Sequence, residues 1–258
     1  LFNAEKYQQW NNKLHAENFA PNDNLSYHAV QSGTAGVTVS SDDQVSTGDA
    51  LMGRINYNYD QKYFFTATTR RDGYSAFGQQ NPRATFPSVA LAWAINEEKF
   101  MKSTQNWLDY LKLRLSYGEN GNREIGRYAA LSNLSSSSYV YVTSGGVTYN
   151  GSTIQASNLS NPDLKWERNS SFNYGFDYSI LRGKVSGSVD FYDRITKDLL
   201  VNRSLPSVVG FSSILVNLGE VENKGTEITI NTVNIEKKNF TWKSTLGLWW
   251  NKNTINHL

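Results

Sequence analysis

Leu111-Lys112-Leu113-Arg114-Leu115-Ser116-Tyr117 puts an apolar or aromatic residue at every odd position and a polar one at every even position. A period of two is what β-strand geometry imposes, because successive side chains leave opposite faces of a sheet. The same split separates Phe172, Tyr174, Phe176, Tyr178 and Ile180 from Ser171, Asn173, Gly175, Asp177 and Ser179. It recurs in Phe240, Trp242, Leu246 and Leu248 against Thr241, Lys243 and Thr245. From about Leu51 to Trp250 the chain therefore reads as all-β, built of strands with one greasy and one wet face.

Working outward, strands are expected over about Leu51 to Asp60, Tyr63 to Asp72, Pro87 to Ile95, Asp109 to Gly118, Lys165 to Leu181, Lys184 to Val201, Asn217 to Asn234 and Phe240 to Asn251. Their connections alternate in length. Asp60-Gln61-Lys62, Leu181-Arg182-Gly183-Lys184 and Ile235-Glu236-Lys237-Lys238-Asn239 have hairpin chemistry. Gly73 to Phe86, Glu119 to about Leu164, and Asn202 to Val216 are long and rich in Gly, Ser, Asn and Tyr. Asn96 to Trp107 is the one longer connection on the short side, with room for a helical turn. Residues 1–49 read mostly as another long extracellular loop leading into the barrel formed by residues 50–258, with Glu5 to Asn18 helical and Ser32 to Gly48 lacking periodicity.

Composition restricts where the greasy face can point. The chain has 258 residues, 39% hydrophobic and 13% aromatic, so rings replace the aliphatic mass of an ordinary core. No run approaches the roughly 18 apolar residues of a membrane helix, so a membrane role must use strands or surface contact. Cysteine is absent, which removes disulfides, thiolate nucleophiles and cysteine metal sites. A net charge of +2 without a basic block gives no case for nucleic acid. Leu1-Phe2-Asn3-Ala4-Glu5-Lys6 lacks the basic start and apolar core of a secretion signal, and an internal piece of a longer chain is expected.

Short turns on one rim, long loops on the other and aromatic rings near strand ends together meet the requirements of an antiparallel up-and-down transmembrane β-barrel. Tyr57, Tyr59 and Tyr63 flank one tight turn, Tyr178 precedes another, and Phe240 and Trp242 follow a third, as rings at a lipid interface would. The tight turns are then periplasmic. A soluble carbohydrate-binding β-rich module shares the alternation. Its strands are typically near 6 residues, however, whereas the stretch from Lys165 to Leu181 would rise roughly 55 Å. A small self-contained outer-membrane barrel with a structural or adhesive role is the other alternative.

Particular words then point to a family. Arg54-Ile55-Asn56-Tyr57-Asn58-Tyr59-Asp60-Gln61-Lys62-Tyr63, Arg71-Asp72-Gly73-Tyr74-Ser75-Ala76-Phe77-Gly78, Phe86-Pro87-Ser88, Ala92-Trp93 and Glu98-Lys99-Phe100 follow one another in order. Leu111 to Asn122, Asn161-Pro162-Asp163-Leu164-Lys165-Trp166-Glu167, Tyr192 to Leu200, and Asn217-Leu218-Gly219-Glu220-Val221-Glu222-Asn223-Lys224-Gly225-Thr226-Glu227 continue the series. The set resembles the barrel of SusC/RagA-like TonB-dependent transporters over roughly Leu51 to Asn251. One departure stands out: where such proteins usually read Asp-Gly-Ser-Ser-Arg-Phe-Gly, Ala76 replaces the arginine. No plug domain, TonB-interacting box or terminal aromatic-ended strand is recognisable, so the resemblance implies about eight strands of a barrel of about 22. It also implies energised import of oligosaccharides or peptides across the bacterial outer membrane. The implied partners are a SusD-like surface lipoprotein over the extracellular mouth and TonB acting through an N-terminal part.

In so wide a barrel the inward residues face water, plug or cargo. By alternation these are Arg54, Asn56, Asn58, Lys112, Arg114, Asn173, Asp177, Ser186, Ser188, Asp190 and Thr229. For each, solvation or plug contact is the plainer role. In the loops, Tyr74, Phe77, Asn81, Arg83, Arg123, Arg127, Tyr128, Tyr139, Tyr141 and Tyr149 have the chemistry of cargo or lid contacts, since rings stack on ligands and Tyr and Arg dominate interfaces. Ordinary loop packing is the alternative for all ten. No enzyme is expected: three histidines lack ligand spacing, and there is no zinc pair, phosphate loop or nucleophile elbow. No cofactor is expected. Loop carboxylates suit calcium, but they have no EF-hand spacing.

Overall fold

The structure, a computed structural model, describes residues 2–17 and 35–258. In chain order its strands are β1 (Phe2–Glu17), β2 (Ala35–Tyr59), β3 (Tyr63–Tyr74), β4 (Arg83–Ala94), β5 (Leu108–Asn122), β6 (Leu134–Val142), β7 (Thr148–Ala156), β8 (Glu167–Ile180), β9 (Val185–Lys197), β10 (Leu200–Ser204), β11 (Ser213–Asn217), β12 (Glu220–Lys237) and β13 (Phe240–His257). Nine of them make one antiparallel sheet in the order β1-β2-β3-β4-β5-β8-β9-β12-β13. Each strand of that series pairs with the next, as an up-and-down wall requires. The other four form two separate hairpins, β6 with β7 and β10 with β11, that rise from the long connections.

A protein of 29.1 kDa folded into a compact body would expose about 11,400 Å². This one exposes 18070 Å², because among the described residues no second layer covers the sheet. On one face Ile55, Tyr57, Phe65, Leu91, Leu113, Leu115, Tyr174, Leu246 and Leu248 stand exposed. The registers Tyr57↔Phe65, Phe65↔Leu91, Leu91↔Leu115 and Leu115↔Tyr174 put rings and branches in one continuous row. An apolar belt of that kind is stable only against lipid or another apolar surface.

The short turns follow from local chemistry. Asp60 and Gln61 both have positive φ (51° and 53°), and the Lys62 N–H donates to the Tyr59 carbonyl at 3.0 Å, which is the primed turn whose twist suits a hairpin. In the β8–β9 turn three consecutive residues, Leu181, Arg182 and Gly183, have positive φ, at 58°, 58° and 76°. The connection after β4 holds two short 3-10 turns, Ile95–Glu97 and Lys99–Thr104, as its length predicts.

Three readings from sequence are corrected. The described residues before Ala50 are strand and not loop, and Glu5 to Glu17 is not helical: Phe2–Glu17 is β1, paired with β2 from Phe2↔Leu51 to Glu17↔Ala35. Residues 18–34 lie outside the described residues. Among the described residues β1 brings the sheet to nine strands, close to the eight or so expected. The strand expected over Lys184 to Val201 stops at Lys197, where Asp198 takes a φ of 57° and the chain turns into the β10–β11 hairpin.

Candidate functional site

The wet face is a wall of charge and amide. Lys112↔Asp177, Asp177↔Ser188 and Ser188↔Thr229 form one row across four strands, so four of the residues expected inside lie side by side. The next row runs Asn58↔Phe64, Phe64↔Ala92, Ala92↔Arg114, Arg114↔Gly175 and Gly175↔Asp190. Arg54, Asn56, Asn173 and Ser186 share the face by the same parity. Arg114 Nη2 reaches Asp177 Oδ1 and Asp190 Oδ1, both at 2.8 Å. Gly175 makes this possible, because a Cβ there would sit 2.7 Å from Asp190 Oδ1 and 2.4 Å from the Val189 carbonyl oxygen. Lys112 lies over the Phe64 ring at 4.4 Å, and the Thr66 hydroxyl donates to Asn56 Oδ1 at 3.0 Å. Arg54, Thr66, Thr68, Ser116, Asn173 and Arg194 line a polar hollow of about 490 Å³.

At the loop rim the wall carries a small core of Phe77, Ala84, Phe86, Ala130, Leu164 and Trp166. Trp166 stacks on Phe77 with centroids 4.7 Å apart and meets Phe86 edge-on at 5.7 Å. Leu164 is fully buried beside them. Asn161 Nδ2 donates to the Leu215 carbonyl, and Asn217 Nδ2 donates to the carbonyls of Lys165 and Asp198, which fastens the β5–β8 and β9–β12 connections together, and the Gly78 N–H, donating to the Leu164 carbonyl, ties in the β3–β4 connection as a third. The run Asn161 to Glu167 is thus a lock between loops. Its role is not legible without the partners it packs against.

The ten loop candidates separate into groups. Phe77 is only 4% exposed and Tyr74 packs against it, Asn81 Nδ2 donates to the Asp163 carbonyl, and Arg83 pairs with Asp49 at 2.8 Å. Those contacts hold the loops. Arg123, Arg127 and Tyr128 reach β1 and β2: Arg123 pairs with Glu5 at 2.7 Å, Arg127 bonds Gln9 and Gln44, and the Tyr128 hydroxyl accepts from the Val45 N–H. Tyr139, Tyr141 and Tyr149 stand on one face of the β6–β7 hairpin with centroid spacings of 6.0 and 5.3 Å. Sequence reasoning misses Glu5, Tyr7 and Gln9 because Lys6 and Gln8 interrupt Phe2, Ala4 and Trp10 on the opposite face of β1, so its period of two is weak, and it misses Gln44 because that part of β2 has no periodicity. Among the described residues no three His, Asp or Glu side chains converge as a metal ligand set.

An antiparallel wall with an apolar belt on one face, ion pairs on the other, short turns at one rim and structured loops at the other is that of an outer-membrane β-barrel. The chain belongs to the TonB-dependent receptor family, whose model, "TonB dependent receptor-like, beta-barrel", matches residues 2–256. It is 37% identical to TonB-dependent receptor P3 of Formosa agariphila over 99% of this chain and 25% of the relative. It is 39% identical to TonB-dependent receptor SusC of Bacteroides thetaiotaomicron over 81% of this chain and 21% of the relative. Among solved structures it superposes on the RagAB peptide importer in a closed-closed state with a TM-score of 0.84 and 27% identity, covering 100% of this chain and 28% of that one. The chain spans about a quarter of the length of these proteins. Its relatives are receptors and not enzymes, and its place is the outer membrane.

Proposed function

We propose that this segment is wall and mouth of an energised importer that takes up oligosaccharides or peptides, closed from outside by a SusD-like surface lipoprotein and driven through TonB. The inner wall carries this reading: polar side chains from five strands share one face, fit to meet water, plug or cargo. The Tyr139, Tyr141 and Tyr149 ladder supports a contact for cargo or lid above it, since stacked rings on an exposed hairpin offer flat apolar area with polar tips. The exposed apolar belt speaks against a soluble module.

The test is uptake of labelled oligosaccharides and peptides by cells carrying the full-length receptor, compared with cells in which its gene is deleted. Uptake of at least one class is expected to fall at least about tenfold on deletion and on addition of a protonophore. Uptake that survives both treatments overturns the reading.

A further inference from the structure

Arg127 is held in an unusual way. Its Nη1 donates to Gln9 Oε1 and to Gln44 Oε1, each at 2.9 Å, and its guanidinium lies over the Tyr7 ring at 4.5 Å. All three partners are neutral. Both Nη1 hydrogens are thereby used, while Nε and Nη2, the side-on edge of the fork, have no acceptor among the described residues. The neighbouring Arg123 is already paired with Glu5 and lies over Tyr74 at 5.0 Å, so of these two positive charges only that of Arg127 has no ion-pair partner among the described residues. Glu5, Tyr7, Thr47, Tyr74, Arg123 and Arg127 line a pocket of about 250 Å³ at the loop rim.

We propose that this pocket binds an oxyanion, the carboxylate or sulfate ester of an acidic cargo chain, through the free edge of Arg127. The edge presents two parallel N–H donors at the spacing of two oxygens on one carbon or sulfur, the geometry in which guanidinium binding is strongest. The two glutamines and the tyrosine fix the plane of the fork before the anion arrives, so little ordering is left to binding. Glu5 holds Arg123 and repels an anion from that side, which directs the ligand to Arg127. A neutral sugar can offer hydroxyl oxygens to this fork but no negative charge, so its hydrogen bonds there are the weaker ones. The inference rests on the importer reading for the word cargo, and it names the chemistry of that cargo.

Its test is titration calorimetry on the full-length receptor in detergent, with methyl glucuronide, glucose 6-sulfate and methyl glucoside as probes. At least one anionic probe is expected to bind at least about tenfold more tightly than the neutral glucoside, and whichever does so identifies the source of the oxyanion. Arg127→Gln is expected to remove the preference. Arg127→Lys, which keeps the charge and loses the fork, is expected to keep less than about a third of it and serves as the control for folding. Equal binding of all three probes by the wild-type receptor, or a preference undiminished in Arg127→Gln, overturns the proposal. Because the readout is binding, a receptor that shows the preference and transports nothing would sink the importer reading alone.

Discussion

At the turn rim the chain reverses within three or four residues, at Asp60-Gln61-Lys62 and at Leu181-Arg182-Gly183-Lys184, joining strands that are neighbours in sequence. At the loop rim Trp166 points its indole N–H towards the Pro82 carbonyl, 84 positions away, and is packed by Phe77 and Phe86. One rim is specified locally and the other by contacts across the sequence. Local contacts cost little loop-closure entropy, so hairpins can form singly, whereas the loop rim has no stable part until several connections meet. A single change should therefore do limited damage at the turns and widespread damage at the lock.

The largest effect is expected for Trp166→Ala, at about 3–5 kcal/mol, the usual range for removing a large buried ring. Limited proteolysis of the full-length receptor should show new cleavage in all the connections that meet at this core, with the strand wall still resistant. Cleavage confined to the connection that carries Trp166 would break the contrast between the rims. Gly183→Ala should cost only about 1 kcal/mol, the order expected for a non-glycine residue at a left-handed φ. Its φ is 76° and an added Cβ would meet nothing within 4 Å, so strain is the whole effect. Urea unfolding measures it, and a loss equal to that of Trp166→Ala would mean that the turn rim is not local.

The same contrast explains what can be read from sequence. Leu111 to Tyr117 shows its two faces because apolar and polar residues alternate there at full amplitude, and Asp60-Gln61 and Arg182-Gly183 are turns by local chemistry. Wall residues such as Asp177 and Asp190 are placed by parity alone. β1 is not: Ala4, Glu5, Lys6, Gln8 and Gln9 suit a helix locally, and only pairing with β2 makes them a strand. Arg123 and Arg127 are visible as loop residues, yet the pocket they form needs Glu5, Tyr7 and Gln9 on that strand. The Ser-rich run before Tyr139 likewise gives no sign that it pairs with Thr148–Ala156.

The smallest effect sharpens the turn rim. Glu98, in the connection after β4, accepts from the Tyr63 hydroxyl and from the Trp93 indole N–H, while Tyr63 stacks on Trp93 at 6.3 Å. The hydrogen bond from Tyr63, and after it the one from Trp93, hold the Glu98 carboxyl below its ordinary value of 4.5. A carboxyl whose folded-state pKa is depressed adds stability above its unfolded pKa and loses it as pH falls through the folded value. The difference in stability between wild type and Glu98→Gln should thus be constant near neutral pH and shrink once pH drops below about 4.5. Paired urea titrations from about pH 7 to about pH 3 span that window and measure the difference. A gap that stays constant over the whole range would show that the carboxylate charge contributes nothing to the aromatic clamp, and that the Tyr63 and Trp93 rings hold the turn rim by packing alone.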